Sequence, residues 1–327
     1  MYPRLKPSVF LLAVLALLPA GACKKSYSTA PVSAPVVKVD WVNATTTAAV
    51  SGRTGLSSVV FNNRMWIIAG YTGAWKNDVW SSSDGVQWTQ ETANAGFAPR
   101  SRHRSLVFNG KMWVIGGYDG ANYLSDVWSS PDGVNWSLEN ASPGFAGRNE
   151  FGALAFNNRM WVAGGYDGAS DYRDVWSSPD GVTWTKNPVS PAFAPRFGLT
   201  MLDFNGRIWV IGGHSPGVND SDVWSSPDGQ NWTQTASNAA FGGREGHTSV
   251  VFNNRMWVIA GDYETGTTWY YDSDVWSSPD GVNWSQATAN APFGLRAFHS
   301  SVVYNGQMWL IDGQNGTYCL NSIWHSN

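Results

Sequence analysis

One stretch of 48 residues, read most cleanly from Arg100 to Gly147, recurs across almost the whole chain. Its copies begin at Arg53, Arg100, Arg148, Arg196, Arg244 and Arg296. In each copy the next landmark, Phe61, Phe108, Phe156, Phe204, Phe252 or Tyr304, lies eight residues on. A period of roughly 40 to 50 residues points to a propeller or an array of repeats.

Each copy reads as four short strands, A to D. Strand A leads into a two-residue turn such as Asn109-Gly110 or Asn62-Asn63, whose residues tolerate the positive backbone angles of a tight hairpin. Strand B is an apolar run, MWVIGG or a close variant, that suits burial on both faces and ends in most copies on small residues. After a variable loop come strand C (DVWSS), a Ser-Pro-Asp-Gly turn and strand D with its own tryptophan. Such a sheet cannot bury both faces alone and must stack on its neighbours.

The tryptophans predict how the ring closes. Strands B, C and D carry Trp66, Trp80 and Trp88 in the first copy, whereas the sixth has Trp309 and Trp324 and then stops. The segment Val39 to Arg53 aligns with Val282 to Arg296, so Trp41 supplies the third tryptophan. The expected fold is an all-β, six-bladed propeller over residues 39–327. An N-terminal strand completes the last blade and leaves no open edge.

These motifs are similar to Kelch repeats, as in Kelch and galactose-oxidase-type propellers: strand B ending in Gly-Gly, the Asp-Val-Trp strand C, the strand D tryptophan, and the Arg-x-x-His opening at Arg100/His103, Arg244/His247 and Arg296/His299. The hairpin SSPDGVNW also resembles the Asp-box of sialidase-like propellers, one residue short between Asp and Gly. Propellers host many activities, so the resemblance implies a fold and leaves the function open.

Residues 1–22 read as a secretory leader. Arg4 and Lys6 precede an apolar run from Val9 to Leu18 that is too short to span a bilayer, and LPAGAC resembles a bacterial lipobox ending at Cys23. Cys23 is the expected lipidation site, and residues 23–38 are a Ser-, Pro- and Ala-rich tether. The protein is thus expected in the bacterial cell envelope, lipid-anchored, facing the periplasm or the exterior. With Cys23 lipidated, Cys319 is the one remaining thiol. A net charge of -3 gives no basic excess for a phosphate backbone, so nucleic acid is not an expected partner; a monomer is expected.

The B–C loops differ from copy to copy while the A–B and C–D turns barely change, so the B–C and D–A face is the expected binding face. Three groups of residues are candidates there. The Kelch resemblance makes Arg53, Arg100, Arg148, Arg196, Arg244 and Arg296 a ring that could meet an acidic ligand, with Glu150, Asp203 and Glu245 as possible internal partners. Tyr71, Tyr118, Tyr166, His214, Asp262 and Gln314 follow strand B and should point to the mouth. Trp75 and Trp269 stand outside the blade pattern, in B–C loops, where aromatic rings suit sugars. The expected ligand is an acidic glycan or an acidic peptide or protein.

The catalytic alternative is similarity to Kelch-type sialic acid mutarotases, an epimerase-like activity with Glu150 or Glu245 as acid/base; a hydrolase ranks below it. His103, His247 and His299 are expected to be structural. Their spacing forms no metal cluster, and Cys319 beside Tyr318 does not reproduce a galactose-oxidase copper centre. No metal and no cofactor is expected.

Overall fold

The two-residue turns that join strands A and B take the expected left-handed conformation, with φ of 48° and 55° at Asn62 and Asn63 and 49° and 69° at Asn109 and Gly110. They set the register of six hairpins, and each grows into a four-stranded antiparallel sheet. This computed structural model describes residues 37–45 and 49–327. The expected leader, Cys23 and most of the tether lie outside the described residues. Among the described residues no helix is long and apolar enough to cross a membrane.

Blade 1 is built of Ser57–Phe61, Arg64–Tyr71, Trp75–Ser82 and Thr89–Thr92 as strands A to D. Blades 2 to 5 repeat it, with strands A at Arg104–Phe108, Gly152–Phe156, Thr200–Phe204 and Thr248–Phe252. Blade 6 takes Ser300–Tyr304, Gln307–Ile311 and Ile323–Ser326 from the C-terminus and Trp41–Thr45 from the N-terminus. Trp41 pairs with Ser326 and Asn43 with Trp324, so the ring closes as the aligned tryptophan predicts. Strand A of every blade neighbours strand A of both adjacent blades and therefore lines the axis.

The core lies between blades rather than inside them. Val59, Phe61, Trp66 and Ile68 of blade 1, for example, pack with Phe97, Met112 and Val114, and five further clusters repeat the arrangement. The tryptophans of strands B, C and D, Trp41 excepted, satisfy their N–H groups locally. Trp66 Nε1 donates to Phe61 O (3.0 Å), Trp80 to Asp78 Oδ2 (2.8 Å) and Trp88 to Gly85 O (3.1 Å). The C–D turn then docks on the previous blade: a Cβ at Gly133 would lie 2.1 Å from the Trp66 ring, so only glycine fits. Trp41 confirms the logic by exception. No C–D turn joins strands C and D in its blade, and among the described residues its Nε1 has no partner.

The registered arginines tie the blades together. Arg100 forks onto Asp126, Nη1 to Oδ1 at 2.7 Å and Nη2 to Oδ2 at 2.9 Å, while Nη1 also donates to Gly116 O at 2.9 Å and the guanidinium lies 5.3 Å from the Phe97 ring. Its backbone belongs to the neighbouring blade, donating to Lys76 O and accepting from Gly70 N–H. Arg53–Asp78, Arg148–Asp174, Arg196–Asp222 and Arg244–Asp274 repeat the pair. Burial raises the Asp78 and Asp174 carboxyls, and the hydrogen bonds and charges of Arg53 and Arg148 outweigh it, leaving both below their ordinary range. In blade 6 Ser322 stands where the others have aspartate. Arg296 donates to Asp312 O (2.9 Å) and reaches Ser322 Oγ at 3.4 Å, and burial lowers its pKa to about 10 despite the Asp312 charge.

Breaking one fork leaves a carboxylate without its cation. Arg100→Ala should cost on the order of 3 kcal/mol, the low end for a broken buried pair because Asp126 retains some solvent. Urea unfolding measures it, and a loss below about 1 kcal/mol would show that the fork is not what joins these blades.

Candidate functional site

The six strand A openings converge on the axis two residues beyond each arginine. Gly55, Arg102, Glu150, Gly198, Gly246 and Phe298 all have φ between 53° and 66°. Their backbones pass hydrogen bonds round the axis. Gly55 N–H donates to Phe298 O (2.9 Å), Arg102 N–H to Gly55 O (2.6 Å), Glu150 N–H to Arg102 O (3.0 Å), Gly198 N–H to Glu150 O (2.8 Å) and Phe298 N–H to Gly246 O (2.8 Å). This forms a throat. Three of its six residues are glycines, which adopt the conformation freely. The other three each accept a cost of about 1–2 kcal/mol to present a side chain there. Strain of this kind gathers at functional positions.

Those three side chains form one unit. Arg102 makes a short ion pair with Glu150, and its guanidinium lies 4.3 Å from the centre of the Phe298 ring. Burial opposes the Arg102 charge, but Glu150, Glu245 and Asp262 together more than restore it, which places three acids around one cation.

Glu245 and Asp262 are a cross-strand bridge pair, each about 1% exposed. A Cβ at Gly198 would lie 2.7 Å from Glu245 Oε2, and one at Gly246 would lie 2.7 Å from Asp262 Oδ1. Glycine at these two throat positions therefore makes the room that both carboxyls occupy. Among the described residues neither Glu245 oxygen, nor Asp262 Oδ1, has a hydrogen-bond partner. Burial, then the charges of Glu150 and Asp262, push Glu245 far above the ordinary carboxylate range; burial, then Glu150, pushes Asp262 up to about 8. Both carboxyls are thus held towards their protonated forms, in which a carboxyl donates as well as accepts.

An arc of rings leads to this pair. Tyr71, Trp75, Tyr118, Tyr123, Tyr166, Phe197 and His214 follow one another at centroid separations of 4.9, 6.0, 4.8, 5.8, 5.4 and 5.1 Å. His214 Nδ1 then lies 4.0 Å from Glu245 Oε1. Blades 1 to 4 thus line the mouth with rings, and blade 5 contributes the acids.

A family model described as the KLHDC2/KLHL20/DRC7 Kelch-repeats domain matches residues 150–327, and the Kelch motif matches residues 99–129. The chain belongs to the Kelch-repeat family. No curated protein matches it. Among solved structures, that of YjhT shares the fold, with a TM-score of 0.71 at 16% identity over 86% of this chain and 96% of YjhT.

The Kelch arginines do not line the mouth as expected. Arg53, Arg100, Arg148, Arg196, Arg244 and Arg296 are 0–3% exposed, and five of them are taken up by strand C aspartates. The acids considered as their partners do not pair with them: Glu150 pairs with Arg102, Glu245 faces Asp262, and Asp203 is exposed on strand A. Tyr71, Tyr118, Tyr166, His214, Asp262 and Gln314 do occupy equivalent places, each bridged to the residue after a registered arginine. Trp75 joins the arc, whereas Trp269 stands apart on the long blade 5 hairpin, 46% exposed, beside the stacked pair Tyr263–Tyr270.

His103, His247 and His299 are buried with Nε2 on Ser57, Thr200 and Thr248, and burial lowers all three, His247 to about 3. Cys319 is partly buried, with its thiol pushed up by burial. Among the described residues no group of His, Cys, Asp and Glu is disposed to hold a metal.

Arg102, with its throat position, was missed in the sequence. Its signal was available: two residues after the registered arginine the copies read Gly, Arg, Glu, Gly, Gly and Phe.

The acid pair makes the mouth pH-sensitive. A carboxyl whose folded pKa is raised favours folding below its unfolded pKa, near 4, and that contribution is lost as pH rises through the folded value, about 8 for Asp262. Asp262→Asn should therefore raise the melting temperature at pH 8 more than at pH 4.5. Equal shifts at both pH values would mean that Asp262 ionises in the folded protein as it does in the unfolded chain.

Proposed function

We propose that this Kelch propeller is a carbohydrate-binding protein of the bacterial cell envelope, held to a membrane by lipid on Cys23, that takes its ligand at the mouth above the throat. The observation that carries the proposal is the aromatic arc ending at the Glu245–Asp262 pair. Rings offer flat apolar area to the C–H face of a sugar, and neutral carboxyls offer both donors and acceptors to its hydroxyls. A glycan is favoured over a peptide because the arc pairs apolar faces with donor–acceptor groups and presents no unpaired cation. The support for an acidic ligand that the arginine ring would have supplied falls away, since those arginines are occupied.

Tyr118 sits between two other rings of the arc, and Trp75 reaches it from blade 1. Glycan-array binding followed by titration with the best hit should show Trp75→Ala and Tyr118→Ala each weakening affinity about tenfold, or about 1.4 kcal/mol, for the loss of one buried aromatic contact. Trp269→Ala should change it less than twofold. Unchanged affinity in both arc variants would remove the arc from the binding site.

A second reading is acid/base catalysis on an acidic sugar's ring, a mutarotation. The raised acid pair favours it: one of its carboxyls can protonate the ring oxygen while the Glu150 carboxylate, ion-paired with Arg102, takes the anomeric hydroxyl proton, and the return transfers restore both. Glu245→Gln should then abolish acceleration of sialic acid mutarotation, followed by NMR, while leaving sugar binding within about threefold. If the unmodified protein leaves the spontaneous rate unchanged, binding alone remains.

A further inference from the structure

Below the throat the axis widens into a cavity of about 210 Å³ lined chiefly by strand A residues. Eight serine and threonine hydroxyls line it. They tie neighbouring blades in pairs: Ser57 to Ser105, Ser58 to Ser300, Thr200 to Ser249 and Thr248 to Ser301, at 2.6 to 2.7 Å. Blade 3 breaks the pattern because it has Gly152 and Ala153 at the matching positions. Arg104 crosses this gap, with Nε donating to Phe151 O at 2.6 Å and Nη2 reaching Leu199 O at 3.5 Å.

A neutral donor would serve for those two carbonyls, so the charge on Arg104 needs its own account. Among the described residues Arg104 forms no salt bridge, and burial destabilises its charge with only the more distant Glu150 opposing. The cavity wall carries two guanidiniums, Arg102 and Arg104, against one carboxylate, Glu150. His247 and His299 on the same wall are neutral, since burial holds both far below neutral pH. The charges on the wall therefore sum to one positive in a small chamber rich in hydroxyls.

We propose that this chamber is an anion site in which Arg104 holds a single oxyanion, a carboxylate or an inorganic phosphate or sulfate. A guanidinium pairs with such groups through two parallel N–H bonds, and the surrounding hydroxyls can turn to donate to them. The site shares no residue with the aromatic arc, so it stands or falls apart from the glycan reading.

Isothermal titration of the full chain at fixed ionic strength tests it, with acetate, inorganic phosphate and glucuronate as ligands and glucose as the neutral control. The expected result is saturable one-to-one binding of an anion that Arg104→Gln weakens roughly 10- to 100-fold. Binding of acetate or phosphate would mean that the chamber takes a free anion. Binding of glucuronate alone, lost in the variant, would mean that the anion arrives as a substituent of the sugar. Absence of saturable binding by all three, or equal binding in Arg104→Gln, overturns the proposal. Should the variant fail to fold, selenate soaked into crystals of the unmodified chain replaces it: anomalous density within hydrogen-bond distance of Arg104 is expected, and a chamber without it overturns the proposal.

Discussion

The fork between a D–A loop arginine and a strand C aspartate is the contact on which the ring depends. Each blade buries its faces only against its neighbours, so a joint is needed where one chain segment passes from blade to blade. Arg100 shows how one residue makes it, with its backbone hydrogen-bonded to blade 1 and its guanidinium to blade 2. Removing such an ion from water is costly, and the two aligned bonds, the strand B carbonyl and the Phe97 ring together offset that cost. Five blades use the aspartate. The sixth, assembled from both chain ends, manages with Ser322 and a buried Asp312, whose carboxyl burial pushes well up while Arg53 and Arg296 act against the rise.

Because those arginines are committed to the joint, the recognition we propose falls to residues that break the repeat. The throat shows the principle most clearly. Six equivalent left-handed positions suit glycine, yet three carry Arg102, Glu150 and Phe298. Glycine at the other sites has its own consequence, since the space above Gly198 and Gly246 is filled by the Glu245 and Asp262 carboxyls. Near-identical blades thus enclose an asymmetric site, with rings on one side, the buried Glu245 and Asp262 carboxyls on the other, and the Arg104 guanidinium below.

The architecture was legible in the sequence because it rests on what recurs: the Asn-Gly turns, three tryptophans per blade, and the Trp41 segment that completes the ring. The mouth was legible in part. The residues after strand B were recognised because their variation is large, and Trp75 because it lies outside the pattern. The arginines misled for a physical reason. Their recurrence looks like a ring of charge until the strand C aspartate, 25 to 30 residues on in five of the six copies, is seen as its partner. Conversely, Arg102 and Arg104 sit beside the most constant residue of the repeat, where variation is easily overlooked. Only the folded backbone shows that the first enters the throat and the second the channel.

The central claim, that exceptions to the repeat bind the ligand while the repeated arginines only hold the ring, is tested most directly by a crystal structure of the chain with a bound monosaccharide. The account predicts density over the Trp75–Tyr118 side of the mouth, within hydrogen-bond distance of Glu245 or Asp262, with the five Arg–Asp forks unbroken. A sugar held by Arg100, Arg148 or Arg196, or seated on the A–B turn face, would contradict it.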